Sequence, residues 1–282
     1  ASKEPVVRQY DHEVQGRMTL RPFAGADRDS PMDGCALDPL RDGSHQVVVS
    51  CGMAVAMGEV DPYQMACHSV DEALRNCIAS GGTLERAALI DNYAWGDVRD
   101  PKILGQIVEC SLGAADAARA YGTPFISGKD SLHNTYRAAG VSRSIPPVLL
   151  VSAISVAKGP LCAPGSDVKD AGSAMVLLGP QAAIPGSLLQ LKYHGDGGVV
   201  ARFDADLGPK LLEKLRHWIV ERRVRAVHDL SDGGLAVAAA EMAFGGGGLG
   251  IDLHLDGADD DRIATLFGEG PHRFLVEVSP PQ

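Results

Sequence analysis

Thr123-Pro124-Phe125-Ile126-Ser127-Gly128-Lys129-Asp130-Ser131-Leu132 is a short apolar run that ends abruptly at a glycine with polar residues on either side. A strand that stops at Gly128 leaves backbone N–H groups free for an anion, and Lys129 and Ser131 add a charge and a hydroxyl. It is not a P-loop, because the glycine four residues earlier and the helix opening on Lys-Ser are missing. Taken alone, such a segment is more often a plain surface turn. Its surroundings give it weight. Pro101 to about Tyr121 reads as a helix that buries Ile103, Ile107, Val108 and Leu112 and is closed by Gly122. Before it, Ala87-Ala88-Leu89-Ile90 is a short strand with Asp91 and Asn92 at its tip. A strand, a helix and a second strand in succession predict an α/β layer, in which Asp91 and the Gly-Lys-x-Ser turn can converge on one cleft. Pro146-Pro147 then introduces Val148 to Ile154, apolar throughout and so expected at the centre of the sheet.

Towards the N-terminus, the first sixteen residues read as an extended lead-in. Asp11, His12 and Glu13 offer metal-ligand chemistry, but neighbours on a strand point to opposite faces, which favours a solvated edge. Residues 24 to 44 are rich in Asp, Gly and Pro and read as loop, followed by a β-branched strand at Gln46 to Ser50. Asp61-Pro62 opens a helix that continues to Ser80 and stops at Gly81-Gly82. Ala66, Val70, Ala73, Leu74 and Cys77 form its packed face. Glu72 and Asn76 stack one turn apart on the other side, where they are either a solvated pair or two oxygen ligands for a hard cation.

Residues 158 to 172 turn to Gly, Pro and Asp, which places a domain boundary there and divides the chain into 1–157 and 158–282. Ala174 to Gly179 is a fresh strand, Leu211 to Arg222 an amphipathic helix, and Arg225 to His228 a strand leading into His228-Asp229-Leu230-Ser231-Asp232-Gly233-Gly234-Leu235. Ser231 or Asp232 is expected to cap the next helix, and Gly233-Gly234 to let a ligand approach its N-terminus. Leu249 to Leu253 reads as a further strand.

At 282 residues with 45% apolar content, the chain has material for two cores. No apolar run approaches the roughly 18–20 residues of a membrane span, and no secretory signal is present, which points to the cytosol. Six cysteines without a Cys-x-x-Cys pair suggest buried thiols rather than zinc or disulfides. A net charge of -10 argues against nucleic acid and anionic lipid, whereas an acidic protein that handles phosphates generally does so through a divalent cation. The first residue is not Met and the last, Pro280-Pro281-Gln282, follow a strand-like Arg273 to Val278, so the chain reads as cut from a longer one.

Tyr10 to Gly16, Gly58 to Tyr63, Val70 to Asn76, Leu89 to Asn92, Ser127 to Leu132 and His228 to Leu235 occur in this order in the phosphoribosylformylglycinamidine synthases of purine synthesis. Over nearly its whole length the chain resembles the second half of their synthetase subunit. The His-Asp-x-Ser-Asp-Gly-Gly element is shared with the wider aminoimidazole ribonucleotide synthetase superfamily. The resemblance implies a two-domain A-plus-B module of α/β (α+β) class, with an A-type N-terminal domain whose sheet pairs with a second copy and a B-type C-terminal domain truncated at its end. It also implies an ATP-dependent ligase that turns formylglycinamide ribonucleotide into the amidine with glutamine-derived ammonia.

By position in the family, Asp91, Gly128, Lys129 and Ser131 bind ATP and substrate, and Glu72, Asn76, Asp229 and Ser231 hold an auxiliary nucleotide, with Glu72, Asn76 and Asp229 on its Mg2+. Lys129 stands where some members have a metal-binding Asn. Asp33 is one residue out of register with the remaining auxiliary ligand. No catalytic residue is expected here, because the family's catalytic histidine belongs to the first half. The implied cofactors are Mg2+ and ATP or ADP. The implied partners are a glutaminase subunit or domain, a small accessory subunit and the N-terminal half of the synthetase, with a homodimer of the fragment also open. Two alternatives stand beside this reading: a nucleotide-binding structural or allosteric module, or another member of the superfamily.

Overall fold

The computed structural model describes residues 4–279 apart from 11, 13, 196 and 256–260. Asp11, Glu13 and Pro280 to Gln282 therefore lie outside the described residues. The N-terminal half is built on β1 (Met18–Leu20), β2 (Gly34–Leu37), β3 (His45–Gly52), α1 (Pro62–Ala79), β4 (Ala87–Ala94), α2 (Pro101–Tyr121), β5 (Phe125–Ser131) and β6 (Val148–Lys158). Its six strands lie in the order β1-β2-β3-β6-β4-β5, antiparallel except for β4 and β5. The C-terminal half carries β7 (Ala174–Leu178), α3 (Leu207–Val220), β8 (Val224–Asp229), α4 (Gly234–Phe244) and β9 (Phe274–Val278), with an antiparallel sheet in the order β7-β9-β8.

Helix α1 forms where the sequence predicts it. The Asp61 carboxylate accepts the Gln64 N–H at 2.9 Å and Pro62 takes the first turn. The expected face of Ala66, Val70, Ala73, Leu74 and Cys77 is fully buried. So is most of the rest, because α1 is packed by β3 and β6, by α2, and by β8 and α3 of the other half. One core therefore runs from Val48, Leu89 and Leu149 through α1 to Phe274 and Val276, and a smaller second core gathers under α4.

Strand β6 is central, as expected, yet only one of its faces is covered. Leu149, Val151, Ala153 and Ser155 are buried against the helices, while Leu150, Ser152, Ile154 and Val156 are half-buried on the other face, beside the exposed Val49 and Ile90. An antiparallel sheet tolerates this, but a face this apolar calls for a cover.

Several expectations are corrected. Val108 and Leu112 are exposed, since α2 turns Cys110, Gly113, Ala114 and Ala117 toward α1 instead. The lead-in contains a short helix, Glu4–Val7, supported by an ion pair from Glu4 to Arg8 at 2.5 Å, and a 3-10 turn, Val14–Gly16, rather than a strand. Residues 24 to 44 include β2 and a small hairpin, Phe23–Ala24 with Ser30–Pro31. Helix α3 starts at Leu207, four residues early. Leu249, Ile251 and Leu253 alternate into the second core but form no strand, because among the described residues no strand pairs with them. Cys67, Cys77 and Cys110 are buried thiols, whereas Cys51 is exposed and Cys35 and Cys162 are half-buried.

The contact between α1 and α2 depends on Gly113, where an added Cβ would meet the Tyr63 backbone; at Gly105 in the same helix it would meet nothing. Gly113→Val is therefore expected to cost about 1–3 kcal/mol by overpacking, whereas Gly105→Ala gains about 0.5–1 kcal/mol from helix propensity. Chemical denaturation of both variants reads the two signs; a neutral Gly113→Val would contradict the close approach.

Candidate functional site

The first predicted set lies where α1 meets the ends of β3 and β8. The Glu72 carboxylate accepts the Met53 N–H at 2.9 Å. One turn on, Asn76 donates through Nδ2 to the Cys51 carbonyl at 2.9 Å, and its Oδ1 is buried with no partner. Across from them β8 ends at the buried Asp229, whose carboxylate accepts from the Ser231 hydroxyl. Asp33 stands against this strand end: its Oδ1 lies 2.5 Å from His228 Nδ1, and its Oδ2 accepts the Asp229 N–H at 3.3 Å. Asp33, His228 and Asp229 can bring one ligand atom each to within 4.8 Å of one another. The fold thus gathers Glu72, Asn76, Asp229 and Ser231, and Asp33 joins them in space despite its offset in sequence.

Oxygen donors gathered at one junction suit a hard cation, and although each carboxylate already has a partner, the unpaired Asn76 Oδ1 fits the same purpose. The electrostatics agree. Burial and then the Asp229 charge push Glu72 up to about 8. Burial likewise raises Asp229 and Asp232. Against its own burial, His228 is held well above its ordinary value by Asp33 and by Glu241, which lies 3.1 Å from Nε2. Carboxyl groups crowded together and raised in this way gain most from a cation.

Sequence reading missed three members of this cluster. Arg75, between Glu72 and Asn76 on α1, is 2% exposed and reaches Ser231 Oγ at 3.2 Å. A lone arginine in an apolar-patterned helix was its only signal. His228 read as a strand end, and Glu241, on the helix that follows, carried no signal of its own. The start of α4 also differs from expectation. Its N-cap is Gly233 in the left-handed region at φ 84°, with no cap from Ser231 or Asp232. The helix end already holds an anion, since Glu269 Oε1 accepts the Gly233 N–H at 2.8 Å and the Leu188 N–H at 3.0 Å. Gly234 is required by the approach of the Gly268 carbonyl and not by a ligand.

The second predicted set lies on β4 and β5. Here the expected turn is a strand: Asp91 pairs with Gly128, Asn92 with Lys129 and Ala94 with Ser131, because β4 continues past Asp91 and supplies the ladder. Asp91 is thus within its strand rather than at the tip. The glycine at 128 has a local cause, for a Cβ there would run into the Asp91 carboxylate. Asp91, Gly128 and Asp130 line a cavity of about 470 Å³ with Tyr93, Ile107, Ser111 and Leu132. Burial and then Asp130 raise the Asp91 carboxyl. Lys129 and Ser131 alternate to the opposite face of the sheet, so the four residues are divided between two faces. Asp91, Val151 and Gly52 are in register across three strands, and Gly52 abuts α1 at Glu72. At one strand spacing per step, the two sets stand roughly 10 Å apart in the sheet.

Two family models match the chain: AIR synthase related protein, N-terminal domain, over residues 32–156, and AIR synthase related protein, C-terminal domain, over residues 170–282. Among curated relatives, the phosphoribosylformylglycinamidine synthase subunit PurL of Synechococcus sp. (strain JA-2-3B'a(2-13)) is 33% identical over 290 residues, covering 100% of this chain. PurL of Thermoplasma volcanium is 29% identical over 98% of the chain. The chain spans 37% and 35% of those two proteins. Among solved structures, T. maritima PurL complexed with FGAR superposes with a TM-score of 0.66 at 20% identity, over 92% of this chain and 41% of that one. The same enzyme complexed with ATP gives 0.61 at 19% identity, over 99% and 42%. A HypE–HypF complex gives 0.55 at 14% identity, over 86% and 77%. At these identities the superpositions establish the fold.

Because the Glu72 carboxyl is raised in the folded chain, the unfolded chain ionises first as the pH rises, and the folded state loses stability progressively between about pH 4.5 and 8. Glu72→Gln removes that loss. In EDTA, the Tm of the variant is expected to gain on that of the wild type steadily from pH 5 to 8; a gap that stays constant or closes would contradict the burial of this carboxyl.

Proposed function

The chain belongs to the AIR synthase related protein family, and from that premise we propose that it is the second half of the synthetase subunit of a phosphoribosylformylglycinamidine synthase, with a cation–nucleotide site at the junction of its two halves. The observation that carries the site is the unpaired, buried Asn76 Oδ1 one helical turn from Glu72, whose carboxyl feels the charge of Asp229, itself held against Asp33. In this reading the A-type half comprises residues 1–157 and the B-type half 158–282. Glu72, Asn76 and Asp229 hold Mg2+, with Asp33 as the fourth oxygen ligand, and Ser231 meets the nucleotide. When bound, Mg2+ would neutralise phosphate charge. The chain's own residues position: α1 fixes Glu72 and Asn76 one turn apart, and the end of β8 brings Asp229 against them.

The parent reaction under this proposal is the ATP-dependent conversion of formylglycinamide ribonucleotide to its amidine. The γ-phosphoryl group of ATP passes to the amide oxygen, ammonia forms the new C–N bond, and phosphate leaves. Asp91 and Gly128 contribute to the nucleotide side of that cleft from the helix-facing side of the sheet, and Lys129 and Ser131 from the open side, where a second A-type domain would lie. This chain contributes binding groups and no general acid–base group. The glutaminase, the accessory subunit and the first half of the synthetase are its partners in this scheme, in the cytosol; among the described residues no helix is long and apolar enough to cross a membrane.

Calorimetry with ADP tests the junction site. Binding is expected in Mg2+ and is expected to weaken at least tenfold in EDTA or in Asp229→Ala, about 1.4 kcal/mol or more. Equal affinity in all three conditions would remove the site.

The isolated chain is expected to form no amidine product when ammonia is supplied. It is also expected to self-associate through the open sheet face, since an isologous contact covers one apolar face most simply. Product formation by the chain alone would contradict the half-site reading; light scattering that shows a monomer at high concentration would contradict the pairing.

A further inference from the structure

Arg75 is not among the oxygen ligands of the proposed site, yet every nitrogen of its guanidinium is engaged. Nε donates to Asp71 at 2.7 Å, Nη1 to the carbonyls of Leu230 at 3.2 Å and Arg273 at 2.9 Å, and Nη2 to Ser231 Oγ at 3.2 Å. Nη1 also lies 3.4 Å from Asp229 Oδ2. Asp71, which sets the plane of the fork, is itself fully buried and fixed by the Tyr121 hydroxyl, by His272 Nδ1 at 2.5 Å and by the His272 N–H at 2.9 Å. The contacts on one side of the fork belong to α1. Those on the other belong to Asp229–Ser231 and to the residue before β9.

We propose that Arg75 is a positioning residue for the cation–nucleotide site, fastening the Asp229–Ser231 segment of the C-terminal half to α1 so that Asp229 and Ser231 already stand beside Glu72 and Asn76 when the ligand arrives. The proposal rests on the reading of the site given above. An arginine is required because only a planar fork can hold a carboxylate on one edge and two carbonyls and a hydroxyl on the others; a lysine at this position keeps the charge and satisfies at most part of the set. Besides Arg75, Asp33 ties this segment to the N-terminal half, through His228 and the Asp229 N–H. Without Arg75 the segment retains those and loses its tie to the helix that carries the other ligands.

The test compares Arg75→Lys with Ile219→Ala, a core truncation in α3 that lowers stability without touching the segment. With Mg2+ and ADP as the probe, at a temperature where both variants are folded, R75K is expected to bind at least tenfold more weakly than the wild type, and I219A within twofold of it. R75K binding within twofold of the wild type would overturn the proposal. Amide exchange supplies a readout that needs no ligand. In R75K the Leu230 and Gly233 amides are expected to exchange at least tenfold faster while those of Ala238 to Met242 hold steady; unchanged Leu230 and Gly233 amides would overturn it. The wild-type chain covers the case in which R75K does not fold. Its Leu230 and Gly233 amides are expected to exchange within tenfold of those in the middle of α1, and exchange a hundredfold faster would overturn the proposal. If the wild type binds no Mg2+ and ADP, the site reading fails by itself and the exchange arms still decide the role of Arg75.

Discussion

Helix α1 is buried on every side, and this constraint governs the molecule. A helix that separates a six-stranded sheet from a second domain cannot leave polar groups unpaired without a penalty of about 1–3 kcal/mol for each. Its polar residues accordingly reach across the junction. The Gln64 Oε1 accepts the Phe203 N–H at 2.9 Å, His68 donates to the Ala201 carbonyl at 2.8 Å, and Asp71 and Arg75 bind His272, Arg273, Leu230 and Ser231. Burial holds His68 down at about 4, neutral and suited to that single donation. The Asn76 Oδ1 breaks the pattern, and it does so one helical turn from Glu72.

Much of this was legible in the sequence. Asp61-Pro62 and Gly81-Gly82 mark both ends of α1, and Gly122 in the left-handed region at φ 66° ends α2 as its position implies. The stacking of Glu72 and Asn76 follows from helical period alone. Other features depend on partners distant in sequence. Gly128 suggests a turn until β4 is known to run beside it and to fill the missing Cβ position with Asp91. The apolar period of α2 cannot tell which stripe packs, because the decision rests on Gly113 meeting the Tyr63 backbone. The carboxylate on the first turn of α4 comes from Glu269, 36 residues away, and no local pattern announces it.

The same geometry separates the two sets of candidate site residues. Asp91 and the Glu72 region lie on one row of the sheet and on its helix-covered side, so both are held by a rigid element rather than by loops. Lys129 and Ser131 face the uncovered side, among Ile90, Val49 and the half-buried residues of β6. Any partner that covers this apolar face would therefore also lie over Lys129 and Ser131.

Crystals of the chain grown with Mn2+ and ADP test the central claim directly, because manganese can be located by anomalous scattering and takes the same oxygen ligands as magnesium. The account predicts one strong anomalous peak at bonding distance from Asn76 Oδ1, the Asp229 carboxylate and Glu72, with the ADP phosphates beside Ser231. A peak elsewhere on the chain, or ordered ADP with Asn76 Oδ1 still unpaired, would contradict it.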